Sequence, residues 1–471
     1  MAEFWTTSGL DLLVETHRNR RRASLEDGLR QAIESGQLAY GTRLPSSRSL
    51  AADLGWSRGT VTAAYDQLIS DGYLHARQGS ATVVGFRPEH AGTTSEATAS
   101  RSAWRYDLRP GTTPIGSFPV EEWLRHQASA LRDAPPTAFG YGDPAGTIEL
   151  RTAVAAYLGR VRGIRASPQA IVVTAGITQA LFLLATVIGQ MHPGRAIATE
   201  GPGFWFHRDV LARAGASIVP LPVDDQGADA RALDVAATAL VTPAHQYPTG
   251  VTMSPARRQS LIAWARENDT LIIEDDYDGE LRHDRQPVRA LQADAPDRVI
   301  FAGTASKALS PAVRLGWLVV PEALVDTVVQ AQRHLLHNVD VTTQLGLAHV
   351  IAHHGYDQRV RSIRATYARR FEQLSALVAD LSESIPGMRL VSVHAGGQAP
   401  LYLPADGPTE QDVVSSAAAE GLALEGLAAS SHTPGTHAPG LLLGYAHPAD
   451  HRYPATLQVL ARVLRRAFAL A

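Results

Sequence analysis

Short apolar runs alternate with helical segments from about residue 107 to the end of the sequence. The runs AIVVTAG, ALVTPA, TLIIEDD and RVIFAGT are rich in β-branched residues, and segments such as SPARRQSLIAWARENDT lie between them. Continuous apolar strands separated by helices are typical of a largely parallel sheet covered on both faces. We therefore predict an α/β fold whose ligands bind at the carboxyl ends of the strands, where polar residues end each run.

Composition narrows the class of protein. A length of 471 residues predicts about two or three domains. With 45% hydrophobic and 19% charged residues the chain is globular, and its net charge of −3 means that nucleic-acid binding would depend on a local patch. The absence of cysteine excludes disulfides and cysteine metal sites. Since we find no signal-peptide pattern and no long uncharged apolar run, we expect a cytoplasmic protein without membrane contact.

The chain divides into three zones. Residues 1–87 contain dense turn signals, and residues 88–106 are small and polar without an apolar period, which indicates a linker. Residues 107–471 carry the alternating pattern described above. We predict an N-terminal domain over 1–87 and a second domain over 107–471.

The first zone has the spacing of a helix-turn-helix. We predict a helix from about Ser24 to Gly36, a second from Ser46 to Leu54 and a third that Ser57 caps, followed by a β-hairpin wing. A three-helix protein-binding module would fit the same pattern. The zone holds ten arginines against nine Asp and Glu residues, which is a weak electrostatic footprint for a protein that binds duplex DNA.

The segment GTRLPSSRSLAADLGWSRGTVTAAYDQLISDGYL resembles the winged-helix domain of the GntR family of bacterial regulators. The Leu-Pro-Ser-x-Arg turn, the Ser-Arg-x-Thr-Val start of the recognition helix and the Gly-Tyr-Leu start of the wing stand in order. The resemblance implies a double-stranded DNA operator as partner. The residues it implies for contact with phosphates, bases or the minor groove are Arg48, Ser57, Arg58, Thr60, Gln78 and Gly79.

Lys307 is the only lysine in the chain. Its amine can form a Schiff base with an aldehyde such as that of pyridoxal 5′-phosphate (PLP), whereas an arginine guanidinium cannot do so at neutral pH. The plain alternative is a surface lysine in an arginine-rich sequence. The neighbouring residues favour the cofactor, because Thr304, Ser306 and Arg314 carry donors that suit a phosphate dianion.

Two further segments add parts of a PLP site. VTAGITQAL indicates a strand, a glycine turn and a helix start, so the Ile177 N–H and Thr178 are predicted to face a phosphate. LIIEDDYDGEL ends a strand with several carboxylates, one of which could pair with a protonated pyridine nitrogen. A Mg²⁺ site is the alternative for this cluster. Because no nucleotide-phosphate motif accompanies it, we predict no metal site.

Aromatic and polar residues follow two other turns. Phe204 stands after a Pro-Gly turn, where its ring could stack on the pyridine or belong to the core. Gln246 and Tyr247 follow the run ALVTPA, where polar side chains could reach the ring hydroxyl of PLP.

Together these segments resemble the fold-type I aminotransferases from about residue 107 to the end. The resemblance implies that Lys307 is the Schiff-base lysine, that Asp275 and Tyr277 face the pyridine nitrogen and ring hydroxyl, and that Phe204 stacks on the ring. Tyr247 departs from the family pattern, since it stands where asparagine is usual. Tyr141, in YGDPAG, is implied to reach the phosphate of a partner subunit, which predicts a dimer with shared sites.

A GntR-like domain joined to an aminotransferase-like domain resembles the MocR subfamily of transcriptional regulators. The resemblance implies that the second domain senses PLP, alone or as an adduct with an amine, and that the homodimer is head-to-tail. Leu442 occupies the place of the arginine with which aminotransferases hold the substrate carboxylate, and Phe206 stands at an often basic position. Unless Arg452 moves in, an amino acid would be poorly held, because a buried carboxylate without a cation is costly.

We therefore predict that PLP itself is the effector, as in PdxR-like members that control vitamin B6 synthesis. Two alternatives stay open. One is a regulator that responds to a PLP–amine or amino-acid adduct, for example with an ω-amino acid or taurine. The other is an active aminotransferase that carries a DNA-binding domain.

Overall fold

The computed structural model describes residues 2–7, 10–15, 21–35, 37–76, 81–85, 104–111, 113, 116–233, 236–284, 286–433, 435 and 437–469. They form two units, one within residues 1–102 and one within residues 103–471. The division falls inside the stretch 88–106 that the sequence predicts to be a linker. In the described part of the chain, no helix combines the length and apolar character needed to cross a membrane.

The described residues of the smaller unit form three helices and two antiparallel strand pairs. Its elements are β1 (Ala2–Thr7), β2 (Leu10–Glu15), α1 (Arg21–Glu34), α2 (Ser47–Leu54), α3 (Arg58–Ser70), β3 (Leu74–His75) and β4 (Val83–Val84). Ser46 and Ser57 cap α2 and α3, because their side-chain oxygens accept hydrogen bonds from Ser49 N at 3.1 Å and Thr60 N at 3.2 Å. Gly55 ends α2 with a φ of 61°, which a glycine adopts without strain. The predicted helix-turn-helix is confirmed.

The core of the smaller unit explains why α3 lies where it does. Val61, Tyr65 and Leu68 recur every three or four residues along α3 and are buried against apolar residues of α1 and α2. The remaining face of α3 is left to solvent. The strands β3 and β4 pair antiparallel, with Leu74 opposite Val84, and form the base of the predicted wing.

The larger unit is built on an eight-stranded sheet. In chain order its strands are β6 (Ile171–Thr174), β7 (Ala196–Gly201), β8 (Ile218–Asp224), β9 (Gly227–Ala228), β10 (Ala236–Val241), β11 (Leu271–Asp276), β12 (Val299–Thr304) and β13 (Gly316–Val319). Their spatial order is β6-β13-β12-β11-β10-β7-β8-β9. The strands from β12 to β8 pair in parallel, while β13 and β9 run antiparallel to their neighbours. The predicted, mostly parallel α/β sheet is confirmed.

Ten helices of the described residues surround this sheet and the smaller sheet of the larger unit. They are α4 (Val120–Asp133), α5 (Ile148–Val161), α6 (Ile177–Met191), α7 (Trp205–Arg213), α8 (Pro255–Glu267), α9 (Val325–Leu335), α10 (Val341–Ala352), α11 (Gly355–Ser384), α12 (Glu410–Ala419) and α13 (Tyr453–Ala469). Successive side chains of a strand point to opposite faces of the sheet, so the apolar core is divided into separate clusters on the two faces. In β12, Ile300 and Ala302 join the cluster of α6, whereas Phe301 joins the cluster of α5, α10 and α11 on the other face.

A smaller sheet completes the larger unit. The strands β14 (Arg389–Leu390), β15 (Gln398–Tyr402) and β17 (Gly440–Gly444) pair antiparallel. A separate parallel pair joins β5 (Tyr106–Asp107) to β16 (Leu422–Ala423), which ties the segment after the predicted linker to the last part of the chain.

Candidate cofactor site and DNA-reading surface

A cavity of about 380 Å³ opens at the carboxyl ends of the parallel strands of the larger unit. This is the edge at which ligands bind in sheets of this kind. The predicted site residues that line it are Ile177, Phe204, Tyr247, Asp275, Tyr277, Thr304, Ser306 and Lys307. The predicted residues Thr178, Gln246, Arg314 and Tyr141 do not belong to its lining. The fold therefore brings together the predicted residues from Ile177 to Lys307, which span about 130 positions of the sequence.

Lys307 follows β12 and presents its amine to the cavity. Its Nζ donates a hydrogen bond to the Gly111 carbonyl at 2.5 Å. Burial lowers the pKa of Lys307, against the opposing effect of the carboxylates of Asp278 and Asp275. A lowered pKa increases the fraction of neutral amine, which is the form that attacks a carbonyl carbon.

The carboxylates at the end of β11 point to different places, because side chains alternate along a strand. Glu274 is fully buried and accepts hydrogen bonds from the backbone N–H groups of Leu291 and Gln292, each at 2.9 Å. Asp276 accepts a hydrogen bond from Arg162 Nη2 at 2.9 Å. Only Asp275 of these three lines the cavity. The cluster does not converge on one point, so the geometry gives no support to the Mg²⁺ alternative.

Asp275 is buried, and among the described residues no lysine or arginine forms an ion pair with it; the charge of Lys307 acts on it only from a longer distance. Burial, and then the neighbouring charges of Asp276 and Asp278, raise its pKa well above the ordinary value. His207 Nδ1 lies 3.5 Å from Asp275 Oδ2, but burial lowers the pKa of His207 to about 3, so the imidazole is neutral. A carboxylate in this environment is stabilised by a protonated nitrogen that enters the cavity. The protonated pyridine ring of PLP fits this requirement.

The region next to the cavity around Ile177 and Ser306 suits an anion. Gly176, with a φ of 84°, precedes the first turn of α6 and leaves its N–H groups free to donate. The guanidinium of Arg314 lies over Gly176, since a Cβ there would stand 3.6 Å from it. Thr304 Oγ1 donates to Ser306 Oγ at 2.9 Å and accepts from Ser306 N at 3.1 Å, which fixes the loop before Lys307. Helix N–H groups, a hydroxyl and a guanidinium together fit a phosphate.

Aromatic rings enclose the cavity from the side of α7. The ring centroid of Phe204 lies 5.0 Å from that of Tyr247 and 4.8 Å from that of His207. The hydroxyl of Tyr277 is 3.0 Å from His245 Nδ1, and the same nitrogen is 2.8 Å from Asp278 Oδ2. These contacts hold Tyr277 in one orientation at the cavity.

Gln246 and Tyr141 lie away from the cavity lining. Gln246 is buried, donates to the Pro202 carbonyl at 2.8 Å and accepts from Thr249 N at 3.1 Å, so its side chain holds the turn together. Tyr141 is 83% exposed, and its carbonyl accepts a hydrogen bond from Asn338 Nδ2 at 2.6 Å. An exposed Tyr141 is accessible to a second subunit.

The cavity also contains functional side chains that sequence reasoning missed. His207 lies three residues after Phe204 on α7, and this i, i+3 spacing was a usable signal. Glu200, Gln398 and Glu425 come from distant strands and loops and carried no such signal. Burial raises the pKa of Glu200 to about 7, while hydrogen bonds from Thr242 oppose the shift.

Among the described residues, the cavity lining offers no arginine side chain that is free to bind an amino-acid carboxylate. Leu442 is buried beside Tyr247 and Leu427. Arg208 is the one arginine among the described residues of the lining, and its guanidinium donates at 3.0–3.2 Å to backbone carbonyls of Gly203, Ala429, Ser430 and Ser431. Arg452 is exposed and outside the lining, and Phe206 packs against the α6 cluster.

In the smaller unit, the predicted DNA-contacting residues lie around the turn between α2 and α3. Arg48, Ser57 and Arg58 are exposed, and Thr60 is half-buried with its hydroxyl 2.7 Å from Ser57 Oγ. Gln78 and Gly79 lie outside the described residues. The start of α3 thus offers hydroxyl and guanidinium donors to solvent, as a recognition helix does.

These two units define a class of protein, namely a helix-turn-helix regulator that carries an aminotransferase fold. Residues 21–84 match the family "Bacterial regulatory proteins, gntR family", and residues 112–431 match "Aminotransferase class I and II". An archaeal alanine:glyoxylate aminotransferase of known structure has a TM-score of 0.69 at 24% identity, covering 77% of this chain and 91% of its own, which shows the fold.

Full-length relatives specify the class further. The chain is 34% identical over 407 residues to the HTH-type pyridoxine biosynthesis transcriptional regulator PdxR of Corynebacterium glutamicum, covering 84% of this chain and 86% of PdxR. It is 33% identical over 412 residues to the probable rhizopine catabolism regulatory protein MocR of Rhizobium meliloti, covering 81% and 82%. The chain belongs to the MocR subfamily of GntR-type transcriptional regulators. The predicted family is confirmed. Its members combine a DNA-binding domain with a domain of a PLP-dependent fold family.

Proposed function

We propose that this regulator senses PLP itself and controls genes of vitamin B6 biosynthesis. One contrast within the cavity carries the proposal. Lys307 and Asp275 offer the amine and the carboxylate that PLP needs, whereas Arg208 is bound to backbone carbonyls and cannot hold an amino-acid carboxylate. The likeness to PdxR, which is a pyridoxine biosynthesis regulator by name, supports the same effector.

In this proposal each residue of the cavity has a defined task. Lys307 offers its primary amine to the aldehyde, Asp275 holds a proton on the ring nitrogen, and Phe204 covers one face of the ring. Tyr277 donates a hydrogen bond to the oxygen of the ring hydroxyl of PLP. Bound PLP supplies an aldehyde that takes up a primary amine and a ring that withdraws electrons. The residues proposed to hold the phosphate are Ile177, Thr178, Thr304, Ser306 and Arg314.

The DNA-binding and dimer proposals use exposed residues. Arg48, Ser57, Arg58 and Thr60 would contact the operator, and the exposed side chain of Tyr141 would reach the phosphate of a partner subunit in a head-to-tail homodimer. The proposed domains are 1–87 and 107–471, joined by a linker over 88–106. Arg58→Ala should lower operator affinity at all sequences and reduce the salt dependence by about one ion, as expected for a phosphate contact.

The test is a titration of PLP into cofactor-free protein that is mixed with a DNA fragment from the region upstream of its gene. We expect the gel-shift pattern to change with PLP alone, together with a yellow absorbance band and a borohydride-dependent mass increase at residue 307. The matched variant Lys307→Arg keeps the charge and should show neither the band nor the mass increase. If operator binding changes only after an amine is added, PLP is not the effector.

Glu425 favours one second candidate, a regulator that responds to PLP together with a cationic amine. Its carboxylate lines the cavity beside the aromatic rings, where a positive group on an effector would be stabilised. A calorimetric panel of neutral amines, diamines and ω-amino acids against the PLP-loaded protein distinguishes this candidate. Rapid loss of the visible band with amino acids would instead indicate an active aminotransferase.

A further inference from the structure

Three histidines of the larger unit meet outside the cofactor cavity. His126 lies on α4, His349 on α10 and His353 directly after α10. One ring nitrogen from each lies within 4.8 Å of the others. None of the three lines the cavity that holds Lys307. Sequence reasoning did not single them out, since 223 residues separate His126 from His349.

Helix geometry explains the cluster. His349 and His353 are four residues apart, so they lie on one face of the helix, and their rings stack with centroids 3.9 Å apart. The packing of α4 against α10 brings His126 to the same place, with its Nδ1 2.8 Å from His349 Nδ1. The cluster is half-buried at His126 and His349 and exposed at His353, which leaves a path for an ion from solvent.

The outward-facing nitrogens of two of these rings already have partners. His353 Nδ1 donates to the His349 carbonyl at 2.9 Å, which leaves the lone pair on its Nε2. His126 Nε2 lies 3.9 Å from Glu122 Oε1, while its Nδ1 faces the cluster. Gly355 leaves room for that carboxylate, because a Cβ there would lie 2.9 Å from Glu122 Oε1. Metal-binding histidines are oriented by carbonyl and carboxylate partners of this kind.

We propose that His126, His349 and His353 bind a Zn²⁺ ion that links α4 to α10, with water as the fourth ligand. Three imidazoles suit Zn²⁺, which takes tetrahedral nitrogen ligands at about 2.0–2.1 Å. Nitrogens in that geometry lie about 3.3 Å apart, so side-chain rotation must separate His126 from His349 by about 0.5 Å. Burial lowers the pKa of both residues, which favours the neutral imidazole that ligates a metal.

The test uses untagged, full-length, PLP-loaded protein from which metal has been removed with a chelator. Zn²⁺ is titrated against a chromophoric competitor, and the melting temperature is recorded with and without Zn²⁺. We expect one Zn²⁺ per chain and a higher melting temperature, because an ion that binds only the folded state stabilises it. The cofactor absorbance should stay unchanged, since the site is separate from the cavity.

Variants separate ligands from neighbours. His349→Gln should lower Zn²⁺ affinity by more than about 100-fold, and Glu122→Gln by about tenfold, the usual loss for an orienting partner. His354→Asn removes the adjacent imidazole outside the cluster and should bind as the unsubstituted protein does. Asparagine is chosen because residue 354 has a φ of 60°.

Co²⁺ bound to the unsubstituted protein gives a second readout that needs no variant, because its visible spectrum reports three nitrogen ligands and a near-tetrahedral geometry. Absence of stoichiometric Zn²⁺ binding would overturn the proposal. So would unchanged affinity in His349→Gln, an octahedral Co²⁺ spectrum, or loss of the cofactor band on Zn²⁺ addition.

Discussion

One wall of the cavity, formed by Ile177, Asp275, Ser306 and Lys307, carries donors, an amine and a buried carboxylate. A second set of lining residues, which we call the aromatic wall, consists of Trp205, Tyr247 and Glu425. The first set, the cofactor wall, has the chemistry that PLP needs. The aromatic wall has rings and a negative charge where an aminotransferase would hold a substrate carboxylate with a cation.

The difference teaches that binding a cofactor and holding a substrate are separable properties of one fold. An aminotransferase must bind its amino-acid substrate through the transition state. Burying the substrate carboxylate without a cationic partner opposes that binding. A sensor needs only occupancy of the cofactor site to be coupled to a second conformation. The predictions below test each wall separately.

The largest effect is expected at Asp275. Asp275→Asn keeps the side-chain volume but removes the charge that a protonated ring nitrogen would meet. Removing one partner of a buried pair costs about 3–5 kcal/mol, so PLP affinity should fall by about two to four orders of magnitude. Absorbance titration measures the loss.

The control for Asp275 is Asp225→Asn, the same substitution at an exposed position. It should bind PLP as tightly as the unsubstituted protein. A Kd for Asp275→Asn within a few fold of that value would show that Asp275 does not face the ring nitrogen.

The second effect tests the anion cradle at Arg314. We choose Arg314→Asn because the residue has a φ of 51°, which asparagine tolerates. Loss of a hydrogen bond to a charged group costs about 1.5–3 kcal/mol, so PLP affinity should fall about 10- to 100-fold. Pyridoxal, which lacks the phosphate, should bind both proteins equally. Equal losses for PLP and pyridoxal would mean that Arg314 supports the fold rather than the phosphate.

The cofactor wall was largely predictable because each of its parts lies next to a strand end within a short motif. Thr304 ends β12, Ser306 and Lys307 follow it, and Ile177 lies shortly after β6, so the local pattern was enough. The aromatic wall was not predictable, because Glu425 lies in a loop just before a short 3-10 helix (Leu427–Ser430), and only tertiary packing brings it to the cavity.

The fold shows the same division between local and non-local signals. Caps at Ser46 and Ser57 and the apolar strands were readable from short segments. The antiparallel direction of β13 depends on a long-range pairing with β6 and β12, and alternation cannot reveal it. The sequence showed that Gln246 is a polar residue near a strand end. It did not show that the side chain accepts a hydrogen bond within its own turn instead of facing the cavity.

A smaller effect, a gain in affinity for amino acids, is expected from substitutions on the aromatic wall. Leu442→Arg returns a cation beside Tyr247, and Glu425→Gln is combined with it so that the new charge is not neutralised. We expect α-amino acids to bind the PLP-loaded variant about tenfold more tightly, the lower range for one charge-assisted hydrogen bond. The amino-acid dependence of the visible band measures this gain.

The control for the gain is Leu442→Met with the same Glu425→Gln substitution, because it keeps an apolar side chain of similar volume. A buried arginine lowers stability when no carboxylate is present, so the melting temperature of the arginine variant should rise on addition of an amino acid. An equal response in the methionine variant would assign the gain to loss of Glu425 alone.

The smallest effect is expected for Glu425→Gln alone. Burial raises the pKa of Glu425, against the opposing charge of Arg109, and glutamine keeps the side-chain shape without the charge. If the two walls act independently, PLP affinity should change by less than about twofold, as for distant sites whose effects add. Titration of PLP into both proteins at matched pH measures the difference. A loss of PLP affinity as large as that of Asp275→Asn would show that Glu425 belongs to the cofactor site. Cofactor binding and substrate binding would then not be separable properties of the cavity.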